Sequence, residues 1–227
     1  MILQLNLHIL EADMTVKEVM TKNPVCITET TSVTEAKQIM NLKKINKLPV
    51  LNGSKKLVGI ITKNDISKVS PSEATTLDVY EISSLLARLT CGKFMTKNVV
   101  TVEENEVVEA AAKLMAEKGI GCLPVMKDGI VTGIITESDL FNLFVSMFDS
   151  GESGVRVDFG MDDKPGEINK IISGIAAVNG NLVSVVTHES PRANRRRTTI
   201  KVSGAALEKI REIVEKSGAE IFDIRQV

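Results

Sequence analysis

The chain has 227 residues, 43% of them hydrophobic and 25% charged, with a formal net charge of −1. That is ordinary globular usage and room for one to three domains, while the near-zero charge, 3% aromatic content and absence of Trp argue against a surface that grips polyanions or stacks nucleic-acid bases. Cys26, Cys91 and Cys122 form no C-x-x-C pair, so neither a disulfide framework nor a zinc site is indicated and a reducing cytoplasm is expected. The opening "MILQLNLHILEAD" lacks a basic n-region and a cleavage signature, and its apolar part is too short to span a bilayer. Residues 1–13 are therefore expected to be a disordered extension without chemistry of their own.

From Met14 the sequence repeats itself. "VMTKNPVCI" (Val19 to Ile27) matches "FMTKNVVTV" (Phe94 to Val102), and "KLPV" from Lys47 matches "CLPV" from Cys122, all at a spacing of 75. The spacing falls to 74 between Thr62 and Thr136, which puts the single-residue difference in the turns "NGSKK" and "KDG", where length change is tolerated. In each copy a short strand ("PVCIT" in the first) leads into a helix. Val33, Ala36, Ile39 and Met40 share one helical face in the first copy, and Val107, Val108, Ala111, Leu114 and Met115 do so in the second before Gly119 stops the helix. A hairpin follows ("KLPVLN" and "KLVGIIT" in the first copy), then a helix, so each unit reads βαββα. The units are expected at 14–70 and 92–148. Residues 71–91 form a linker whose Val79, Ile82, Leu85, Leu86 and Leu89 suggest an amphipathic helix.

Residues 149–154 contain the polar, glycine-rich "SGESG", a domain boundary. Beyond it, 155–227 reads strand, turn and helix, hairpin, helix, strand, the βαββαβ ferredoxin-like order. The fold class is α/β (α+β).

The element with chemistry is "GIIT-x-x-D", present as Gly59 to Asp65 and Gly133 to Asp139. Thr with Asp three residues on at a helix start is a capping box. The same geometry presents free N–H groups and a positive dipole end to a phosphate, with a carboxylate able to accept from ribose hydroxyls. One copy alone is most simply a cap, and the functional reading uses the same geometry.

These tandem units, with "KLPV" or "CLPV" and then "GIIT-x-x-D", resemble a pair of CBS domains, together called a Bateman module, over roughly residues 14 to 148. The resemblance implies an adenosine ligand (AMP, ADP, ATP or S-adenosylmethionine) in the cleft between the units, acting as a regulatory ligand and not as a catalytic cofactor. Asp65 and Asp139 are then implied to hold ribose, and Thr62 and Thr136 to meet phosphate or ribose. The backbone at Lys47-Leu48 and Cys122-Leu123 is implied to read the adenine edge, and Val25, Ile45, Ile60, Val100, Ile120 and Ile134 to sandwich the ring. Cys26, Pro49, Asn64, Thr101, Pro124 and Ser138 complete the implied site. Lys63 and Lys47, Lys55 and Lys56 around the first copy, against Glu137 and Gly121-Cys122 in the second, lead us to expect unequal sites, with the Asp65 site preferring more phosphates.

The terminal segment resembles an ACT domain, a regulatory fold that often binds amino acids at a dimer interface. "DDKPGEI" matches its first turn, which makes Asp163, Pro165, Gly166, Glu167 and Ile168 the implied amino-acid contacts. A CBS pair followed by ACT resembles the acetoin-utilisation protein B family. An enzyme is not expected, since only His8 and His188 are present and no G-x-S-x-G, P-loop or metal-spaced cluster occurs. The arginine run "SPRANRRR" could clamp an anion, though exposed charge in a hairpin loop is usual. The sequence therefore reads as a cytoplasmic, homodimeric ligand sensor acting on an unknown regulated protein, without nucleic-acid or membrane partners. The alternative is a dimerising scaffold with an empty cleft.

Overall fold

The computed structural model describes residues 14–69, 88–148, 151 and 153–227. Residues 1–13 and most of the expected linker helix, including Val79, Ile82, Leu85 and Leu86, lie outside the described residues. The chain divides into two units, Met1–Phe141 and Asn142–Val227.

In the first unit each repeat builds a small sheet around a parallel crossover. β2 (Ile27–Thr28) leads through α2 (Val33–Lys43) to β3 (Lys47–Leu51), which turns back as β4 (Leu57–Thr62) and enters α3 (Lys63–Val69). The second repeat does the same with β5 (Val102–Glu103), α4 (Val108–Lys118), β6 (Cys122–Lys127), β7 (Ile130–Thr136) and α5 (Glu137–Phe148). Ser32 caps α2 by accepting from Glu35 N–H at 3.1 Å. Both crossover helices end in the left-handed conformation, at Lys44 (φ 54°) and at the expected Gly119 (φ 61°). Val107 is the N-cap of α4 and not part of its buried stripe, which starts at Val108 because the cap must leave helical geometry.

The repeats exchange their leading segments, which the repeat pattern alone did not reveal. α1 (Val16–Val19) and β1 (Thr21–Lys22) precede the first repeat's own strands, yet β1 pairs antiparallel with β7, Thr21 opposite Ile134 and Lys22 opposite Gly133. Val16 N–H donates to Glu106 O at 2.9 Å, and Val16 and Met20 are buried in the second repeat's core with Met115, Leu123, Val125 and Ile135. The reciprocal segment does the mirror-image job. Thr96 and Ile60 exchange backbone hydrogen bonds of 2.9 and 3.0 Å, and Cys91 and Met95 are buried with Ile27, Met40, Leu48 and Ile61. Leu89, from the expected linker, packs on that same cluster.

The exchange explains the paired "M" and "G" of the repeat. A Cβ on Gly133 would stand 2.9 Å from Met20 Cγ, and one on Gly59 would stand 2.7 Å from Met95 Cγ, with each sulfur nearer still. Only a residue without a side chain lets the neighbouring repeat's methionine lie on its strand, and burying that thioether contributes roughly 1.5–3 kcal/mol.

The second unit carries β8 (Val155–Asp162), α6 (Glu167–Ala177), β9 (Asn181–Glu189), β10 (Arg195–Ser203), α7 (Leu207–Lys216) and β11 (Glu220–Gln226). The sheet is antiparallel in the order β11-β8-β10-β9, the ferredoxin-like arrangement read from the sequence. Alternate residues of β8, namely Val155, Val157, Phe159 and Met161, bury one face of the sheet against Ile171 and Ile175 of α6 and Ile210 and Val214 of α7.

Candidate functional site

Exchange of the leading segments creates two reciprocal clefts in the first unit. One, of about 290 Å³, is walled by Asn23, Pro24 and Val25 after β1 and by Lys44, Ile45, Asn46 and Lys47 at the turn into β3. The second repeat closes it with Ile134, Thr136 and Ser138. The other, of about 240 Å³, repeats the pattern with Thr96, Asn98, Val99 and Val100, with Ile120, Gly121 and Cys122, and with Ile60 and Thr62 from the first repeat. Each thus takes its "TKN" segment and its crossover turn from one copy and its "GIIT" from the other.

The walls of each cleft come from both copies. Val25 and Ile45 face the Thr136 cleft, while Val100, Ile120 and Cys122 face the Thr62 cleft. Lys55 and Lys56 cannot surround Thr62: Lys47 is Thr62's strand partner, and these lysines lie beyond the far end of β3 and β4. Five residues of strand put them roughly 16 Å away. Lys47 lines both clefts, so it does not distinguish the first copy from the second.

The capping reading of "T-x-x-D" is realised twice. Thr62 donates to Asp65 Oδ2 from its N–H at 2.9 Å and from its hydroxyl at 2.7 Å, and Asp65 N–H returns to Thr62 Oγ1 at 3.3 Å. The corresponding distances for Thr136 and Asp139 are 2.8, 2.7 and 3.4 Å. Each cap engages one carboxylate oxygen, Oδ2. Asp65 Oδ1 has Lys68 Nζ at 4.0 Å. Neither aspartate lines its cleft, although both are half-buried beside a threonine that does.

The other expected residues are placed variously. Leu48 and Leu123 are fully buried, so their side chains belong to the two cores, and Pro49 and Pro124 are buried beside them. Cys26 donates to Pro24 O at 3.4 Å, Thr101 is half-buried and Asn64 is exposed; none of these lines either cleft. Burial raises the Cys122 thiol, with Lys47 pulling it down and Glu137 pushing it up. Sequence reasoning missed Asn23, Lys44, Asn46, Thr96 and Asn98 as wall residues. The doubled "MTKN" is the available signal for Asn23, Thr96 and Asn98; Lys44 and Asn46 carry none.

In the second unit the Asp163 to Ile168 turn is knitted to its own domain. Asp163 accepts from Arg196 Nε at 2.9 Å, Glu167 pairs with Lys170 at 2.8 Å, and Gly166 caps α6 with φ 88°. Ile168 packs against the core, leaving Pro165 exposed. The arginine run is likewise engaged. Arg192 pairs with Glu220 at 3.0 Å, and Arg195 donates to Gly160 O at 3.0 Å. Arg197 chelates the buried Asp158, holding its carboxyl below the usual range, and lies 5.0 Å over the Phe222 ring. An anion clamp is therefore not what these arginines form. His188 is exposed and bonds Glu189 O. Among the described residues, no cluster of three or more His, Cys, Asp or Glu is arranged for a metal, and no helix is long and apolar enough to cross a membrane.

The CBS domain model matches residues 16–72 and 91–146, and the TTHA0829-like ACT domain model matches 153–225. A CBS domain-containing protein of Dictyostelium discoideum is 32% identical over 135 residues, 59% of this chain and 93% of that protein. The chain belongs to the CBS-domain proteins, with two CBS domains in tandem and a C-terminal ACT domain. A homoserine O-acetyltransferase of Methanocorpusculum labreanum is 36% identical over 128 residues, 56% of this chain; the chain spans 23% of that enzyme. Among solved structures, a CBS domain pair in complex with 5′-methylthioadenosine and S-adenosyl-L-methionine is 33% identical, covering 58% of this chain and 95% of that one at a TM-score of 0.48. A putative acetoin utilization protein from Vibrio cholerae is 28% identical over 59% of this chain and 91% of its own, at 0.49.

Proposed function

We propose that the CBS pair takes an adenosine ligand (AMP, ADP, ATP or S-adenosylmethionine) in the clefts between its repeats and passes that occupancy to a regulated protein. The two reciprocal clefts are the observation that supports this most. Each joins branched apolar walls, Val25, Ile45 and Ile134 in one and Ile60, Val100 and Ile120 in the other, to hydroxyl and amide groups. Apolar walls suit a flat heteroaromatic ring, and a few convergent polar groups suit a ribose and its substituent. In this reading Asp65 and Asp139 accept ribose hydroxyls through the oxygens their caps leave, and Thr62 and Thr136 meet ribose or phosphate. Backbone at Lys47-Leu48 and Cys122-Leu123 meets the adenine edge.

The chain is a regulator and carries out no reaction of its own, in the cytoplasm and as a homodimer. The ACT turn from Asp163 to Ile168 supplies an amino-acid site, and the regulated process is of the acetoin-utilisation kind. Phe141, Phe144, Val145 and Met147 of α5 are 51–69% exposed and favour pairing with a second copy. The same face also fits a scaffold whose clefts stay empty.

The separating experiment is a thermal melt with each adenosine ligand in turn. A ligand at a hundredfold excess over its Kd adds about 2.7 kcal/mol to the folded state, a shift of several degrees. No shift with any adenosine ligand refutes the sensor and leaves the scaffold. Equilibrium dialysis against the twenty amino acids tests the ACT site, and none bound refutes it.

A further inference from the structure

Resting on the reading of the clefts as adenosine sites, we infer that their two occupants compete for one ammonium group, Lys47, so that an anionic ligand in one cleft weakens an anionic ligand in the other. Among the described residues Lys47 is the one residue that lines both clefts. It starts β3 beside the Thr136 cleft, and its Nζ donates to Gly121 O, on the wall of the Thr62 cleft. That carbonyl already accepts from Glu137 N–H at 3.2 Å, as its counterpart Asn46 O accepts from Lys63 N–H at 2.8 Å. The lysine is thus an addition to the symmetric pattern and not part of it.

The position equivalent to Lys47 in the second repeat is Cys122, a half-buried thiol raised by burial and so uncharged at neutral pH. The sharing is therefore one-sided. The Thr136 cleft is also lined by Lys44, the left-handed residue that ends α2, whereas among the described residues Lys47 is the one cation lining the Thr62 cleft. A phosphate entering the Thr136 cleft meets two lysines. Once Lys47 has turned to it, a phosphate in the Thr62 cleft meets none, while an uncharged adenosine ligand loses nothing there. The first anionic nucleotide should thus occupy the Thr136 cleft and leave the other to an adenosine ligand without a phosphate. The sequence alone suggested the reverse preference.

The test is displacement of radiolabelled adenosine by AMP from the full chain, which reads even a weak second event, on the unaltered protein, Lys47→Met and Cys122→Lys. Lys47→Met should weaken the first AMP event about tenfold, the factor of one charge-assisted hydrogen bond in a partly screened cleft, and leave the second event in place. Cys122→Lys gives each cleft its own ammonium and should strengthen the second event about tenfold, the same factor. AMP affinity is read in each protein against that protein's own adenosine affinity, so that a change in adenosine binding drops out of the comparison, and far-UV circular dichroism shows that the variants fold. If Lys47→Met weakens both AMP events or neither, or if Cys122→Lys leaves the second unchanged, sharing is refuted while the adenosine reading stands. If labelled adenosine does not bind the unaltered protein, that reading has failed and this inference fails with it.

Discussion

Gly133→Ala places a methyl group on β7 where Met20 lies, 2.9 Å from its Cγ and nearer still to its sulfur. Gly133 is not in the left-handed region, so alanine fits its backbone and the unfolded chain even loses some freedom, worth about 0.4–1 kcal/mol in favour of folding. The steric cost is larger. Overpacking a tight core contributes about 1–3 kcal/mol against folding, leaving a net loss of roughly 1–2 kcal/mol. Met20→Ala alone removes a side chain that is 7% exposed and should cost about 2–5 kcal/mol through the cavity it leaves. In the double variant the new methyl points into that cavity and no longer meets a thioether, so the two losses should fall short of their sum by about 1–2 kcal/mol. Urea melts of the four proteins, compared at equal m, measure this coupling. The two residues are 113 apart in sequence, so coupling between them reports the exchanged packing directly. Additivity within about 0.5 kcal/mol would mean that Met20 does not lie on Gly133 and would refute the exchange.

Other perturbations probe single features. Thr136→Ala removes the hydroxyl that bonds both ways with Asp139 and should cost about 1 kcal/mol, with Thr136→Ser retaining most of it in the same melts. Asp158 is held below the usual carboxylate range, chiefly by its hydrogen bonds to Arg197, so its contribution is present above its unfolded pKa and lost as pH falls through its folded one. Arg197→Met should therefore destabilise most near pH 7, with the gap to the unaltered protein narrowing toward pH 3; a gap constant with pH contradicts the pairing. Cys91 is fully buried and its pKa is pushed to about 11, first by burial and then by Glu35. A thiol reagent at pH 8 should leave it untouched until denaturant is added, and rapid labelling in the native protein would contradict its place in the core.

The element order of the repeats and of the terminal domain was legible in the sequence because it rests on local signals: alternation in β8 to β10, the helical stripes, Gly119 at a helix end. The two copies of "T-x-x-D" were legible as caps for the same reason. What the sequence concealed was pairing at a distance. Nothing in "VMTKN" says that its methionine rests on a glycine of the other copy, since a repeat displays likeness and not partnership. The membership of each cleft was concealed along with it, so Val25 and Ile45 could not be assigned to Thr136, nor Lys47 to both. The structural arginines were concealed too, because the run "RRR" reads as free charge until its acceptors, Asp158 and Asp163, are found on β8 and just beyond it.

The exchanged segments also bear on how the chain is made. A ribosome delivers residues in order, and the first repeat's core, whose other buried members end at Ile66, lacks Cys91 and Met95 until the stretch between the repeats has also left the exit tunnel. Val16 and Met20 emerge about a hundred residues ahead of Leu123, Val125 and Ile135, so their berth does not exist until the second repeat is out. Neither repeat can finish alone, so a chain interrupted between them exposes an apolar leading segment with no receptor, a ready substrate for chaperones and proteases. Completion of both repeats is then a single late event in which each copy closes the other.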